Sequence, residues 1–495
     1  MPTLDRRTFL RGAAVAGAAA VTGPFAGLAA RGAQAATSSG VGPVRPHPGY
    51  GPLVPVTDEA DGVVRLLLPS GFRYRSFATA GFVMDDGVAT PGRHDGMAAF
   101  SVQGSAHSSG QGHPQGTYTL IRNHEINGPV GAFGDPATAY DPMAGGGTTR
   151  IVVSREGEVI RSEVSLNGTQ MNCSGGPMPW GSWITCEETV NGPDVGNDFS
   201  GGNNSLLTQK HGYIYEVPAD GRGARRTEPV RAAGRFAHES VAYEKHTNAL
   251  YLSEDNFAFP SGFYRYLPPN QPFKDGRLAD GGRLQMLRVA GVANADLSIH
   301  HEVGATFDVD WVDIDDPDPT FAPGTTNDQA IVAVGNQGLA QGAAIFSRLE
   351  GTIEDRGIVY FCSTQGGAPD PAAPSVPGFG DGRGQVWAYD ARASLLRLVF
   401  ESTALTVLDL PDNVTASPRG SLVLCEDGLD NQNFLRGLTP DGLLFDFAKN
   451  AIAGREQEEF AGSTFAPDGQ TLFVNIQTAQ GLSFAVWGPW SEGGF

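Results

Sequence analysis

The sequence predicts an all-β fold, a β-propeller with irregular insertions and a central channel, and three observations carry that prediction. The first is composition: the 495 residues include 67 Gly and 34 Pro, about a fifth of the chain, beside 27 Phe and 12 Tyr. That mixture suits many short strands joined by tight turns. The second is a dispersed repeat, a hydrophobic strand that ends at once in a carboxylate or an amide. Seven copies can be read: TLIRNHE, GSWITCEE, ALYLSEDN, AIVAVGNQG, IVYFCSTQGG, GSLVLCEDG and QTLFVNIQ. The third is their irregular spacing, with turns between copies, which marks insertions decorating a regular array of blades. Equivalent strand ends of a propeller meet at one axis, however far apart they lie in sequence. Two packed β-sandwiches are the alternative, but they would leave the repeats without a common focus.

Taken in order, residues 1–35 read as an export signal. Asp5 to Arg11 carries the pair Arg6-Arg7, an apolar Ala/Gly/Val-rich run extends from Gly12 to Ala30, and Ala33-Gln34-Ala35 fits a cleavage site. These features predict passage through the twin-arginine export machinery and a mature chain that begins near Ala36. The destination is secreted, periplasmic or cell-envelope. A membrane anchor is the competing reading; Pro24 and the Ala/Gly content weaken it, and no later segment is apolar for long enough to span a bilayer. Loss of residues 1–35 removes four Arg and one Asp, which moves the formal charge from -20 to -23. Such acidity excludes nucleic acid and anionic lipid as partners.

Residues 36–60 read as an extended Pro/Gly/Ser-rich arm, and residues 61–495 as a single propeller domain. Strands begin with VVRLLL and FRYRSFA, and GTYTLIRN then leads into His124-Glu125. Pro317 to Gln329 and Gly366 to Gly384 are predicted insertions, and Ala448 to Glu459 is the one moderate helix candidate.

The densest chemistry lies in Asn172 to Glu188, NCSGGPMPWGSWITCEE, with a thiol and an amide before a Gly/Pro turn and two carboxylates after a short strand. Glu125, Glu187, Glu254, Asp255 and Glu426 stand at strand ends that the propeller brings to one channel. Carboxylates at close range need cations, and oxygen donors suit calcium. A thiolate suits a transition metal, so Cys173 among these acids predicts a mixed, metal-binding channel. Cys186 and Cys425 each precede a carboxylate pair and read as buried packing residues. Phe236-Ala237-His238-Glu239-Ser240 places an imidazole and an acid before a strand. In Arg348-Leu349-Glu350-Gly351 the charges are two apart, hence on one side of an extended segment; Glu350 could hold a metal while Arg348 clamps a phosphate, and a surface salt bridge fits the same spacing. The run from Asp310 to Asp318 reads as solvated surface. No P-loop, dinucleotide fingerprint, HExxH or GxSxG motif is present.

Together NCSGGPMPWGSWITCEE, FAHES, ALYLSEDN, RLEG, SPRGSLVLCEDG and EFAGSTFAPDGQTLFVNIQ, behind a twin-arginine signal, resemble the PhoX family of exported, calcium-activated alkaline phosphatases. The resemblance spans about Asn123 to Trp490. It implies a monomeric propeller that hydrolyses small phosphomonoester substrates with ferric iron and calcium. By the same resemblance Cys173 ligates iron, Glu239 and Glu350 are further metal ligands, Arg348 binds the substrate phosphate, and the other strand-end acids hold calcium. Two departures stand out: Met171 where family members carry Arg, and Thr478-Ala479-Gln480-Gly481 where they carry His-Pro-Gly. The rival functions are a calcium-dependent propeller hydrolase of lactones or phosphodiesters and a non-catalytic secreted calcium-binding propeller.

Overall fold

A computed structural model describes residues 49–101, 116–221, 228–375, 377–428 and 432–495. The predicted signal and most of the predicted arm lie outside these residues. From Leu53 to Thr57 the arm is instead a strand, antiparallel to Val64–Pro69.

Six antiparallel blades surround one axis. Their inner strands are His94–Ser101, Asn172–Met178, His238–Glu244, Leu349–Asp355, Pro411–Ala416 and Phe460–Phe465, and each touches the next, the sixth returning to the first. Thr117–His124, Ser182–Glu187, Ala249–Glu254, Ile358–Ser363, Leu422–Glu426 and Leu472–Ile476 are the second strands, each paired with the inner strand of its blade. These second strands are six of the seven repeats; the repeats therefore lie one position out from the axis, and their lead-ins supply the innermost strands. The seventh, AIVAVGNQG, is helical over Asn327–Ile331 and Ala333–Leu339. Thr326 and Gln329 close a capping box at its start, a signal that outweighs the β-branched residues of a run too short for periodicity to decide. The helix expected over Ala448–Glu459 is likewise absent. Leu444–Asn450 pairs with Phe434–Leu438 as a strand, since alternate residues Phe445 and Phe447 fill a core.

Packing explains why the second strands are hydrophobic throughout. Each blade is covered on both faces, so successive residues enter different cores: Leu120 faces blade six and Ile121 faces blade two. Val359 and Phe361 face blade three, while Tyr360 and Cys362 face blade five. Cys186 and Cys425 occupy two more of these inter-blade cores, and all four cysteines are free and buried. The ring is closed by the early strand Arg73–Phe77, which completes blade six beside Leu482–Trp487. Thr306–Asp313 ties the outer strands of blades three and four together. No helix among the described residues is long and apolar enough to cross a membrane.

Candidate functional site

One local irregularity, repeated in every blade, builds the site. In blade one the ladder pairs His94 with His124, breaks, and resumes at Met97 with Arg122. The same break follows Asn172, His238, Leu349, Pro411 and Ala461. Each is a β-bulge, which re-aims a side chain that a regular strand would direct elsewhere. The first bulged residues are Asp95, Cys173, Glu239, Glu350 and Asp412, and in blade six Gly462, which has a left-handed φ of 59°. The second are all small or short: Gly96, Ser174, Ser240, Gly351, Asn413 and Ser463. Neighbouring inner strands pass too close for more. A Cβ on Gly96 would lie 2.6 Å from Ser174 Cα, and one on Gly351 would lie 2.6 Å from the Asp412 carbonyl oxygen.

A second tier comes from the residue just after each second strand. Its backbone N–H donates to the carbonyl of the residue just before the inner strand: Glu125 to Arg93 at 3.0 Å, Glu188 to Met171 at 2.9 Å, Asp255 to Ala237 at 3.1 Å, Thr364 to Arg348 at 2.9 Å, and Asp427 to Leu410 at 3.0 Å. Four of these acceptors have left-handed backbones, Arg93 (φ 49°), Met171 (43°), Arg348 (42°) and Leu410 (51°). Strain of that kind in side-chain-bearing residues is characteristic of functional sites. Blade six adds Glu459, whose carbonyl accepts from Gln477.

Asp95, Glu125, Glu188, Glu239, Asp255, Glu350, Asp412, Asp427 and Glu459 thus surround the axis with Cys173. Ligand atoms of Cys173, Glu188 and Glu239 lie within 4.8 Å of one another, as do those of Glu239, Glu350 and Asp412. Two carboxylates at that range repel by about 3 kcal/mol at an effective dielectric near 20. Burial, reinforced by Asp412, Glu350 and Glu188, holds the Glu239 carboxyl well above the usual range. Burial and Asp255 do the same to Glu350 against the opposing pull of Arg348. Asp412 and Glu125 are each pushed up to about 7, chiefly by burial. The Cys173 thiol is raised by burial and by Glu239 and Glu188. Arg348 is the deep cation: its Nε and Nη2 donate to Asp255 at 3.1 and 2.7 Å, and Nη2 is 2.7 Å from Glu350 Oε1.

Of the residues singled out in the sequence, Cys173, Glu239, Glu350, Glu125, Asp255 and Arg348 meet here. Glu187, Glu254 and Glu426 do not. Each is the last residue of a second strand, so its side chain points to the opposite side from the acid that follows it. There it accepts backbone N–H groups at the start of the third strand: Glu187 from Gly212 and Tyr213, Glu254 from Gly262, Glu426 from Phe434. Glu187 also accepts from His211 Nδ1 at 2.6 Å, Glu254 from the Tyr264 hydroxyl at 2.8 Å, and Glu426 from Arg436 Nε at 2.8 Å. Their recurrence reflects blade construction. Asp95, Asp412 and Glu459 are the site residues that sequence reasoning left out, while Glu188 and Asp427 were read as strand-end acids but passed over for their neighbours Glu187 and Glu426. In blades two to five a Cys, Glu or Asp followed by a small polar residue or Gly stands 14 to 16 residues ahead of the channel-facing strand end, and that pattern would have found Asp412.

The sequence matches the family described as "Alkaline phosphatase PhoX" over residues 48–163 and 157–480. No curated protein sequence matches it significantly. Among solved structures, Pseudomonas fluorescens PhoX in complex with vanadate, a transition-state analogue, aligns over 89% of this chain and 98% of its own at 17% identity, with a TM-score of 0.60. A gluconolactonase of Xanthomonas campestris aligns over 90% and 99% at 13% identity with a TM-score of 0.35. The periplasmic gluconolactonase of Pseudomonas aeruginosa aligns over 88% and 91% at 16% identity with a TM-score of 0.36.

Proposed function

The chain belongs to the PhoX family of alkaline phosphatases, and on that premise we propose that its channel hydrolyses phosphate monoesters outside the cytoplasm with the help of ferric iron and calcium. The observation that carries this reading is the donor set itself. Among the described residues nine carboxylates and a thiol converge on one axis around the deep Arg348 guanidinium, an arrangement that repels a phosphate dianion until cations enter. The residues fit such cations. Asp95 Oδ1 is buried without a hydrogen-bond partner, and thiol and carboxylates are close enough to share an ion. Cys173, Glu188 and Glu239 form the set suited to iron; Glu350, Asp412, Glu125, Asp255, Asp427 and Glu459 are oxygen donors suited to calcium. Bound there, the metals supply the positive charge and Lewis acidity that phosphoryl transfer needs.

The protein's own groups then bind and orient. Asp255 and Glu350 would hold cations, and the planar Arg348 fork between them would present two parallel N–H groups to the equatorial phosphoryl oxygens. Its left-handed backbone, anchored by Thr364, fixes the direction of approach.

Metal analysis and turnover of a chromogenic phosphomonoester test the reading. The purified protein is expected to contain iron and calcium, to lose activity reversibly in a calcium chelator, and, as Cys173→Ala, to lose both activity and the visible absorbance of a ferric thiolate. An active, iron-free Cys173→Ala protein would overturn the iron assignment, and full activity in excess chelator the calcium one.

A further inference from the structure

Arg93 occupies in blade one the station that Arg348 occupies in blade four. Both stand immediately before the bulged inner strand, both have left-handed backbones, and both carbonyls accept the N–H of the residue after the second strand. Three blades of six separate them, so they stand on opposite sides of the channel. Elsewhere the station holds Met171, Ala237, Leu410 and, in blade six, Glu459, whose carbonyl accepts from Gln477. Arg93 and Arg348 are thus the two cations of the ring.

The two guanidiniums differ in depth and in engagement. The Arg348 side chain is 13% exposed and is clamped by Asp255 and Glu350 at 2.7 Å each. The Arg93 side chain is 53% exposed, and its Nη1 reaches only Glu125 Oε2 at 3.4 Å and Gln477 Oε1 at 3.5 Å. Its backbone is by contrast held firmly. The N–H donates to the Thr478 carbonyl at 2.5 Å, the carbonyl accepts from Glu125, and Gly92 lies so close to the Ala479 carbonyl that no side chain fits there. A fixed backbone with a loosely held guanidinium at the rim is built to reach a ligand. A structural bridge would engage both ends.

We propose that Arg93 is a specificity-determining residue that contacts a second anionic group, a carboxylate or a further phosphate, on the leaving-group side of the phosphomonoester. This inference rests on the phosphatase reading above. The phosphoryl group belongs deep, among the carboxylate-held cations and Arg348, so the leaving group projects outward through the mouth. Arg93 is the guanidinium that meets it there, and its planar fork suits a carboxylate or a phosphate.

The test uses matched ligands on the metal-loaded enzyme. 3-(Phosphonooxy)propanoate and propyl phosphate are compared as substrates, and 2-carboxyethylphosphonate and propylphosphonate as non-hydrolysed ligands in calorimetry. The wild type is expected to favour the carboxylate-bearing member of each pair. In Arg93→Gln that preference should fall about tenfold, with Arg93→Lys retaining part of it and salt eroding it in the wild type. A preference that survives Arg93→Gln within twofold overturns the inference. So does a parallel loss on both members, which would indicate a contact to the phosphoryl group or a supporting role for Glu125. Metal content of each variant is measured alongside, so that a failure to bind any phosphonate or to cleave either ester in the wild type falls on the phosphatase reading, and the inference falls with it.

Discussion

Two neighbouring residues separate structure from chemistry. Glu187 is fully enclosed, accepting from Gln170, Gly212, Tyr213 and His211, while Glu188 turns to Cys173 and Glu239. Glu187→Gln is expected to cost about 3–5 kcal/mol in denaturant unfolding, because it strands a buried imidazolium. Glu188→Gln should leave the unfolding midpoint of the metal-free protein unlowered yet reduce bound metal and activity at least about tenfold. Equal stability losses in the two variants would refute this division of labour. The pair also marks a limit of sequence reading. The motif CEE shows that an acid reaches the axis, but which of two adjacent acids does so depends on strand phase, which pairing alone decides. His211 makes a pH prediction. Burial alone would lower its pKa, yet Glu187 and Asp141 override that and raise it from 6.5 to about 9. A group whose folded pKa is raised adds stability that is complete below the unfolded value and is lost as pH climbs through the folded one. About 3 kcal/mol should therefore disappear between pH 6.5 and pH 9 and above, and His211→Gln should flatten that slope in chemical denaturation across pH 6–10.

At the level of the element, the bulge is what turns a β-sheet edge into a ligand ring. Five bulges present a donor, and each is followed by a residue small enough to let the next inner strand pass. Gly351→Val tests this directly. Its Cβ would meet Asp412 O and Val414 N at 2.6 Å, so the strands of blades four and five must part. The expected result is a stability loss of about 1–3 kcal/mol together with a larger loss of metal content, since Glu350 and Asp412 separate. Retained metal at wild-type stoichiometry would contradict it. Most second strands were legible in the sequence because burial on both faces makes them continuous hydrophobic runs between turns. The bulges were not, because a bulge is a relation between two strands and leaves only the faint trace of an acid or thiol before a small residue. AIVAVGNQG misled for a related reason: its composition is that of a buried strand, and only the capping box at Thr326 points to a helix.

For the whole molecule, blades around one axis were readable from dispersed repeats, although seven repeats were read where six blades exist, and the closure of the ring was not readable. Nothing in FRYRSFA indicates that Arg73–Phe77 completes the last blade, pairing Phe77 with Ser483 and Tyr74 with Val486. Tyr74 is fully buried, and its hydroxyl accepts from the Arg65 amide at 2.7 Å and donates to the Val56 carbonyl at 3.1 Å. Tyr74→Ala is expected to destabilise the protein by about 3–5 kcal/mol and to speed proteolysis at both ends of the chain together; cleavage confined to one end would argue against a shared closure.

That closure also dictates an order of events during synthesis. The segment that seals the ring leaves the ribosome long before its partner, since Phe77 and Ser483, the nearest pair of that register in sequence, are 406 positions apart. Until then Arg73–Phe77 is an open edge with nothing native to pair with, and the nascent chain must be kept from pairing with its neighbours. The channel, whose ligands come from all six blades, acquires its full donor set only once Phe460–Phe465 and the closing strand Leu482–Trp487 have both emerged.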